Sequence, residues 1–263
     1  MIQAAEIASA LMHEHDARRP FHSIRDAFPL EGLDASYDVQ DRFVDLLRQR
    51  HRCGLAGYKV GLTSPRMQAM CGIAHPVAGA VLSNRVFASG ATVRASDFVH
   101  LGVECEIAVL IGRDLDRDLP ETIAALGGAV AGVAPAFEIV DDRRADYRAL
   151  DVPTLITDNA WNAGVVLGAF AQTWPDLAEV EGVLTVNGTA VERGLGGHVM
   201  GHPFEPLLWL ARHLAGRRSA LRRGEIVMTG SLVPTVFPGP GDALRFSLGA
   251  LGAVELAVAP NGV

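Results

Sequence analysis

The stretch Leu101-Gly-Val-Glu104-Cys-Glu106-Ile-Ala-Val-Leu-Ile111 sets two carboxylates inside an otherwise apolar run. A run of this kind reads as a largely buried strand. On a strand, positions i and i+2 share a face, so Glu104 and Glu106 project side by side while Cys105 points away. Two like charges held out of water raise each other's pKa and are unfavourable unless something positive lies between them. A third acid recurs in the same setting, Glu138 in Gly132-Val-Ala-Pro-Ala-Phe-Glu-Ile-Val140. Three carboxylates with no cysteine or histidine pair beside them form a hard oxygen set, which favours Mg²⁺ or Mn²⁺ over Zn²⁺. The competing reading puts Glu104 and Glu106 in solvent on an edge strand and pairs Glu138 with Arg143 or Arg144.

Lys59 is the only lysine in the chain, against 22 arginines, and lies in the apolar, glycine-flanked run Gly57-Tyr-Lys-Val-Gly-Leu-Thr63. Arginine stays protonated, whereas a lysine amine can be tuned into a base, an acid or a point-charge clamp. Lys59 is therefore the catalytic candidate; a composition bias that drains lysine codons is the bland alternative.

Outward from these segments the texture divides in two. Residues 1–53 carry helical periodicity over Ala4 to Arg18 and Ala35 to Arg50 and form a helical N-terminal cap region. Residues 54–263 alternate short apolar runs with Gly, Pro, Asn and Asp, as a catalytic β-rich domain should. Strands are expected near Gly57 to Leu62, Val77 to Leu82, Val103 to Ile111, Val130 to Val140, Asn162 to Leu167 and Ile226 to Val236. Asn187-Gly188 predicts a tight hairpin turn between Gly182 and Glu192, and a second hairpin spans Ala243 to Val258. Helices are expected over Pro120 to Leu126 and Pro203 to Ala215.

A net charge of −7 argues against a nucleic-acid surface, because phosphate binding needs clustered cations. No apolar run suits a bilayer span and no signal peptide opens the chain. Cys53, Cys71 and Cys105, odd in number and widely spaced, fit reduced thiols and a cytoplasmic location. His198 and His202 have the i, i+4 spacing of a helical metal pair, but the glycines around them argue against a helix. Thr229-Gly230-Ser231 ends an apolar run and suits either anion binding or an ordinary turn. No nucleophile elbow, phosphate-binding loop or dinucleotide fingerprint is present.

Taken together, Tyr37-Asp-Val-Gln40, Gly57 to Ser64, Glu104-Cys-Glu106, Phe137-Glu-Ile-Val-Asp141 with Arg143, Asp158-Asn159 and Val227-Met-Thr-Gly-Ser231 resemble the fumarylacetoacetate hydrolase superfamily. The chain is most similar to its 2-keto-4-pentenoate hydratase and 4-oxalocrotonate decarboxylase branch, colinearly from Tyr37 to the C-terminal hairpin. The resemblance implies an α+β fold, a mixed β-sheet roll with a small helical N-terminal region, assembled into homo-oligomers. It also implies that Glu104, Glu106 and Glu138 hold Mg²⁺ or Mn²⁺, that Lys59 acts beside the metal, and that Thr229, Gly230, Ser231 and Asn159 help hold a small 2-oxo acid. The implied reaction is hydration of a 2-hydroxy-2,4-dienoate in aromatic ring-cleavage catabolism. The alternatives are decarboxylation of a 2-oxo-3-enedioate and a non-catalytic, metal-stabilised binding protein. Carbon–carbon bond hydrolysis is disfavoured because it needs a histidine with a carboxylate partner, and the sequence places no such dyad. Two departures from the hydratase pattern stand out. Pro76-Val77-Ala78-Gly79 has valine where many hydratases carry an acid, which leaves proton delivery to His75, water or another group; Trp161 occupies a position that is commonly small.

Overall fold

The long acid-bearing strand lies near the middle of a curled sheet. The computed structural model describes residues 2–25, 27–30, 32–116 and 119–260. Its strands are β1 (Leu55–Gly61), β2 (Val77–Leu82), β3 (Val86–Ala88), β4 (Ala91–Val93), β5 (Leu101–Ile111), β6 (Val130–Asp141), β7 (Asn162–Leu167), β8 (Glu181–Val186), β9 (Thr189–Leu195), β10 (Ile226–Ser231), β11 (Ala243–Ser247) and β12 (Ala253–Val258). The helices are α1 (Ile2–Asp16), α2 (Gly32–His51), α3 (Pro65–Cys71), α4 (Ile123–Gly127), α5 (Val152–Thr157) and α6 (Phe204–Gly216). Among the described residues, seven strands pair in the order β2-β1-β10-β5-β6-β7-β3, and five in the order β4-β12-β11-β8-β9.

Both faces of β5 and β6 are covered, which is why their sequences read as continuous apolar runs. Val103, Cys105, Ile107, Phe137 and Ile139 pack with Leu184, Leu244, Phe246 and Val254 of the second sheet. The opposite face carries Val81, Ala108, Ala136, Val165 and Met228 as a separate cluster. Strand β2 comes against β7, its non-neighbour in the sheet, so the large sheet rolls around that inner face. This is the mixed-sheet roll that the sequence leads one to expect.

Helices α1 and α2 pack through Ile7, Leu11, Val39 and Phe43, and α2 then fastens the edge strand β2. Tyr37 Oη accepts from the Ala78 N–H at 3.0 Å. Gln40 Nε2 donates to Ala78 O at 2.8 Å and Ile156 O at 2.7 Å. Backbone groups at a sheet edge need such partners or water, and this accounts structurally for the Tyr37 to Gln40 segment.

The hairpin turn at Asn187-Gly188 is formed with φ of 52° and 81°, as a primed turn requires. The strand expected to reach Val236 stops at Ser231. Gly230 adopts φ 112° there, and the following segment retains only a bridge between Val236 and Val103.

On α6, His213 stacks on Trp209 with ring centroids 5.0 Å apart and lies 4.3 Å from the Tyr37 ring. Burial, then the Arg217 charge, lowers its pKa to about 4; Asp34 pulls the other way and His75 adds to the lowering. The folded value lies below the unfolded one, so the unfolded chain takes up the proton first and stability declines as pH falls from about 6.5 toward 4. Thermal melts across that range should show the decline, and His213→Gln should flatten it; an unchanged slope would assign the pH dependence to other groups.

Candidate metal centre

Register brings the acids together. Glu104 on β5 pairs directly with Glu138 on β6, and Glu106 pairs with Ala136. One carboxylate oxygen from each of the three glutamates falls within 4.8 Å of the others. Glu106 and Glu138 are fully buried, whereas Glu104 is half-buried at the outer end of the cluster.

Each carboxylate is held by one oxygen. Glu106 Oε2 accepts from Gly230 N–H at 2.7 Å, Glu138 Oε1 from Asn162 Nδ2 at 2.8 Å, and Glu104 Oε1 from Thr235 Oγ1 at 2.7 Å. Glu106 Oε1 and Glu138 Oε2 are buried with no hydrogen-bond partner among the described residues. A buried oxygen left in that state costs about 1–3 kcal/mol, more if charged. Three hard oxygen donors, two of them unpartnered and aimed into one small space, fit a divalent cation.

Lys59 enters from β1. It is 4% exposed, and its Nζ lies 3.4 Å from Glu138 Oε2, close enough for an ion pair although no aligned hydrogen bond forms. Two glycines make room for it. A Cβ at Gly61 would sit 3.0 Å from Nζ, and one at Gly79 would meet Lys59 Cγ at 3.2 Å and Asn159 O at 2.6 Å. Burial opposes the ammonium charge, but Glu138, then Glu104 and Glu106, outweigh it and hold the pKa above its ordinary value. Burial pushes Glu138 up to about 7 against the pull of Lys59. Burial, Glu138 and Glu104 push Glu106 well above the carboxylate range.

The competing partner for Glu138 is otherwise engaged. Arg143, 1% exposed, donates from Nε and Nη2 to Asp158 Oδ2 at 3.1 and 2.6 Å. Arg144 uses its backbone N–H on Asp142. Asn159 spends its side chain on Ala80, donating to O at 2.9 Å while accepting from N–H at 2.7 Å. Thr229 Oγ1 donates to Ile107 O at 2.8 Å, and Ser231 Oγ to Val233 O at 2.7 Å. Of that segment, the Gly230 N–H reaches the acids.

His198 and His202 do not converge. His198 Nδ1 lies beside Leu232 O, whereas His202 Nε2 is 3.7 Å from Asp176. His75 bonds its own Pro76 carbonyl and stacks on Trp209, 6.2 Å between centroids. Val77 is fully buried, its Cγ2 3.6 Å from where a Gly61 Cβ would be. An apolar group thus stands beside the lysine where an acid would change the local charge. Trp161 packs edge-on between Phe21 and Tyr147.

A histidine–carboxylate pair does exist, contrary to the sequence reading. His100 Nδ1 is 2.7 Å from Asp142 Oδ1, and Tyr147 Oη donates to Asp142 Oδ2 at 3.0 Å. The β5–β6 ladder could have revealed it: Gly102 pairs with Val140, one same-face step outward from Glu104–Glu138, and the next such step brings His100 opposite Asp142.

The curled mixed sheet thus carries three clustered glutamates, two of them buried, with a buried lysine beside them. The fumarylacetoacetate hydrolase C-terminal family model matches residues 73–259, and the chain belongs to that family. It is 33% identical over 259 residues to a 2-keto-4-pentenoate hydratase of Paraburkholderia xenovorans (strain LB400), covering 96% of this chain and 94% of the relative. It is 32% identical over 199 residues to a 4-oxalocrotonate decarboxylase of Pseudomonas sp, covering 76% and 77%. In structure it resembles 4-oxalocrotonate decarboxylase from Pseudomonas putida G7 complexed with magnesium and adipate, with a TM-score of 0.90, 27% identity and 97% of each chain covered. Among the described residues, no helix is long and apolar enough to cross a membrane.

Proposed function

We propose that this protein is a divalent-metal-dependent lyase that adds water to a 2-hydroxy-2,4-dienoate, giving a 4-hydroxy-2-oxo acid in aromatic ring-cleavage catabolism. The observation that carries the reading is the cluster of Glu104, Glu106 and Glu138 within 4.8 Å, with two unpartnered buried oxygens beside Lys59. A hydratase relative 33% identical over nearly the full length supports the hydration step. Mg²⁺ or Mn²⁺ held by the three glutamates would supply a Lewis acid for the carboxylate and 2-oxo oxygens of the substrate.

The chain's own groups do the rest. Lys59, buried with its Nζ 3.4 Å from Glu138, stands where it stabilises negative charge on the 2-oxo oxygen as the dienol ketonises. Gly230, packed against Thr63 where no side chain would fit, holds Glu106 through its backbone N–H. Thr229, Ser231 and Asn159, whose polar side-chain atoms are bonded within the chain, brace the backbone around the acids. The helical segment 1–53 acts as a cap that braces β2, and the active form is a cytoplasmic homo-oligomer.

One observation favours a second reading. The valine at position 77 places no proton-transfer group beside Lys59, and loss of CO₂ from a 2-oxo-3-enedioate needs the stabilised enolate but no activated water. The structural resemblance to a decarboxylase points the same way.

Purified protein stripped with a chelator, restored with Mg²⁺ and given each substrate separates the two. Water addition to the dienoate with no CO₂ release is the expected result. CO₂ release from the enedioate without hydration would establish the decarboxylase instead, and no turnover of either would leave the fold as a metal-stabilised binding protein.

A further inference from the structure

Three consecutive residues without a glycine, Asn159, Ala160 and Trp161, adopt left-handed backbone angles, with φ of 51°, 47° and 62°. L-residues avoid that region because Cβ crowds the backbone, and a run of three persists only where the surroundings enforce it. Three anchors enforce this one. Asp158, immediately before the turn, is gripped by Arg143 and by His15 of α1, whose Nε2 lies 2.5 Å from Oδ1. Asn159 is bonded twice to Ala80. Trp161 is wedged between Phe21 and Tyr147. The residue delivered at the end of this turn is Asn162, and its amide is the donor that holds Glu138 Oε1.

Thr235 performs the matching task on the outer side. Its segment is docked to β5 by paired backbone bonds between Val236 and Val103, at 2.8 and 3.0 Å, and its hydroxyl holds Glu104 Oε1. Both donors are neutral, so they leave the net charge of the acids unchanged even where the bond favours the ionised form, as Asn162 does for Glu138. What each does is choose which carboxylate oxygen is occupied, and for Glu138 the oxygen left over is the unpartnered one facing Lys59.

We propose that Asn162 and Thr235 are positioning residues for the cation, each fixing one glutamate so that a single oxygen is presented inward, and that the strained turn at 159–161 exists to place Asn162. This rests on the metal-dependent reading above and extends it to groups outside the carboxylate triad. Outer partners that orient metal ligands are worth about 10–100-fold in affinity. The consequence reaches to the N-terminal helices: His15 of α1 and Arg143 act on the centre through Asp158 and the turn.

The test uses the full-length chain, stripped with chelator, and Mn²⁺ titration followed by electron paramagnetic resonance, which reads bound and free ion without turnover. Asn162→Ala and Thr235→Val are each expected to weaken Mn²⁺ about 10–100-fold, while Thr235→Ser, which keeps the hydroxyl, stays within about threefold of wild type. Circular dichroism in chelator establishes that each variant is folded. If Asn162→Ala does not fold, the Thr235 pair decides. Wild-type binding together with folded Asn162→Ala and Thr235→Val that bind within about twofold of it would overturn the positioning role. Failure of the wild type itself to bind Mn²⁺ would instead overturn the metal-dependent reading.

Discussion

Glu106→Gln should abolish Mg²⁺-dependent turnover while making the metal-free protein more stable. The two effects have one cause. Glu106 is fully buried, and its carboxylate meets those of Glu104 and Glu138 within 4.8 Å. At an effective dielectric near 20, two unit charges at that separation repel by roughly 3 kcal/mol. Lys59 offsets part of this for the cluster, but it sits on the Glu138 side. Glutamine preserves the shape, can still accept from the Gly230 N–H, and removes the cost of burying this acid, whether that cost is met as repulsion or as uptake of a proton. A net gain of about 1–2 kcal/mol would raise the melting temperature by several degrees in a chain of this size. The same change takes away a hard anionic donor and with it the Lewis acid; losing about 4 kcal/mol of transition-state stabilisation lowers kcat about 10³-fold. Melts with and without Mg²⁺ read both signs at once. Added metal should stabilise the wild type and leave the variant where it was. A variant that melts lower without metal, or that keeps its response to Mg²⁺, would remove Glu106 from the centre.

The acids were legible in sequence because burial and strand parity are both written in the pattern around Glu104 and Glu106. The hairpin at Asn187-Gly188 was legible for the same kind of reason, a local backbone demand met by particular residues. What escaped is set by register or by length. Helices α3 and α5 are two turns or less, too short for periodicity to declare them, although Ser64 and Asp151 cap them through their side chains. Asn162 and Thr235 look like ordinary strand-end residues until β6–β7 pairing and the Val236 bridge set them against Glu138 and Glu104. His100 and Asp142 are 42 residues apart and meet only through the β5–β6 ladder. In sequence the hydroxyls of Thr229 and Ser231 suit anion binding or an ordinary turn, and the resemblance implies the former. A hydroxyl at a strand end can serve the ligand or its own backbone equally well, and here it serves the backbone.

Arg143 shows the same limit from another side. The competing sequence reading pairs Glu138 with Arg143 or Arg144, yet the structure buries Arg143 completely and gives it to Asp158. The guanidinium also donates to Arg19 O and stacks over the Phe21 ring at 5.7 Å, so one side chain ties the segment after α1, the chain after β6 and the turn before β7. A forked planar cation suits this geometry where an ammonium would not. Burying the pair is not by itself evidence of stability, since desolvation consumes much of the attraction. Removing one partner is a different matter.

Arg143→Met, close in volume, should therefore destabilise the protein by about 3–5 kcal/mol, because Asp158 is left charged and buried with His15 as its remaining partner. The effect should also depend on pH with a definite sign. Burial opposes ionisation of Asp158, but His15 and then Arg143 outweigh it, and its carboxyl is held below the ordinary value. A depressed folded value means that the wild-type contribution is complete above the unfolded pKa near 4 and is lost as pH falls through the folded value. In the variant His15 alone opposes burial, so Asp158 ionises at higher pH than in the wild type and less stability is gained as pH rises. The gap between the two proteins should be narrowest near pH 4 and widen toward pH 7, as read by urea unfolding at each pH. Asp158→Asn in the Arg143→Met background should recover part of the loss, since it removes the unpaired charge. A gap that stays constant across this range, with no recovery in the double variant, would mean that Arg143 stabilises through packing alone and that its charge does not fix the turn on which Asn162 depends.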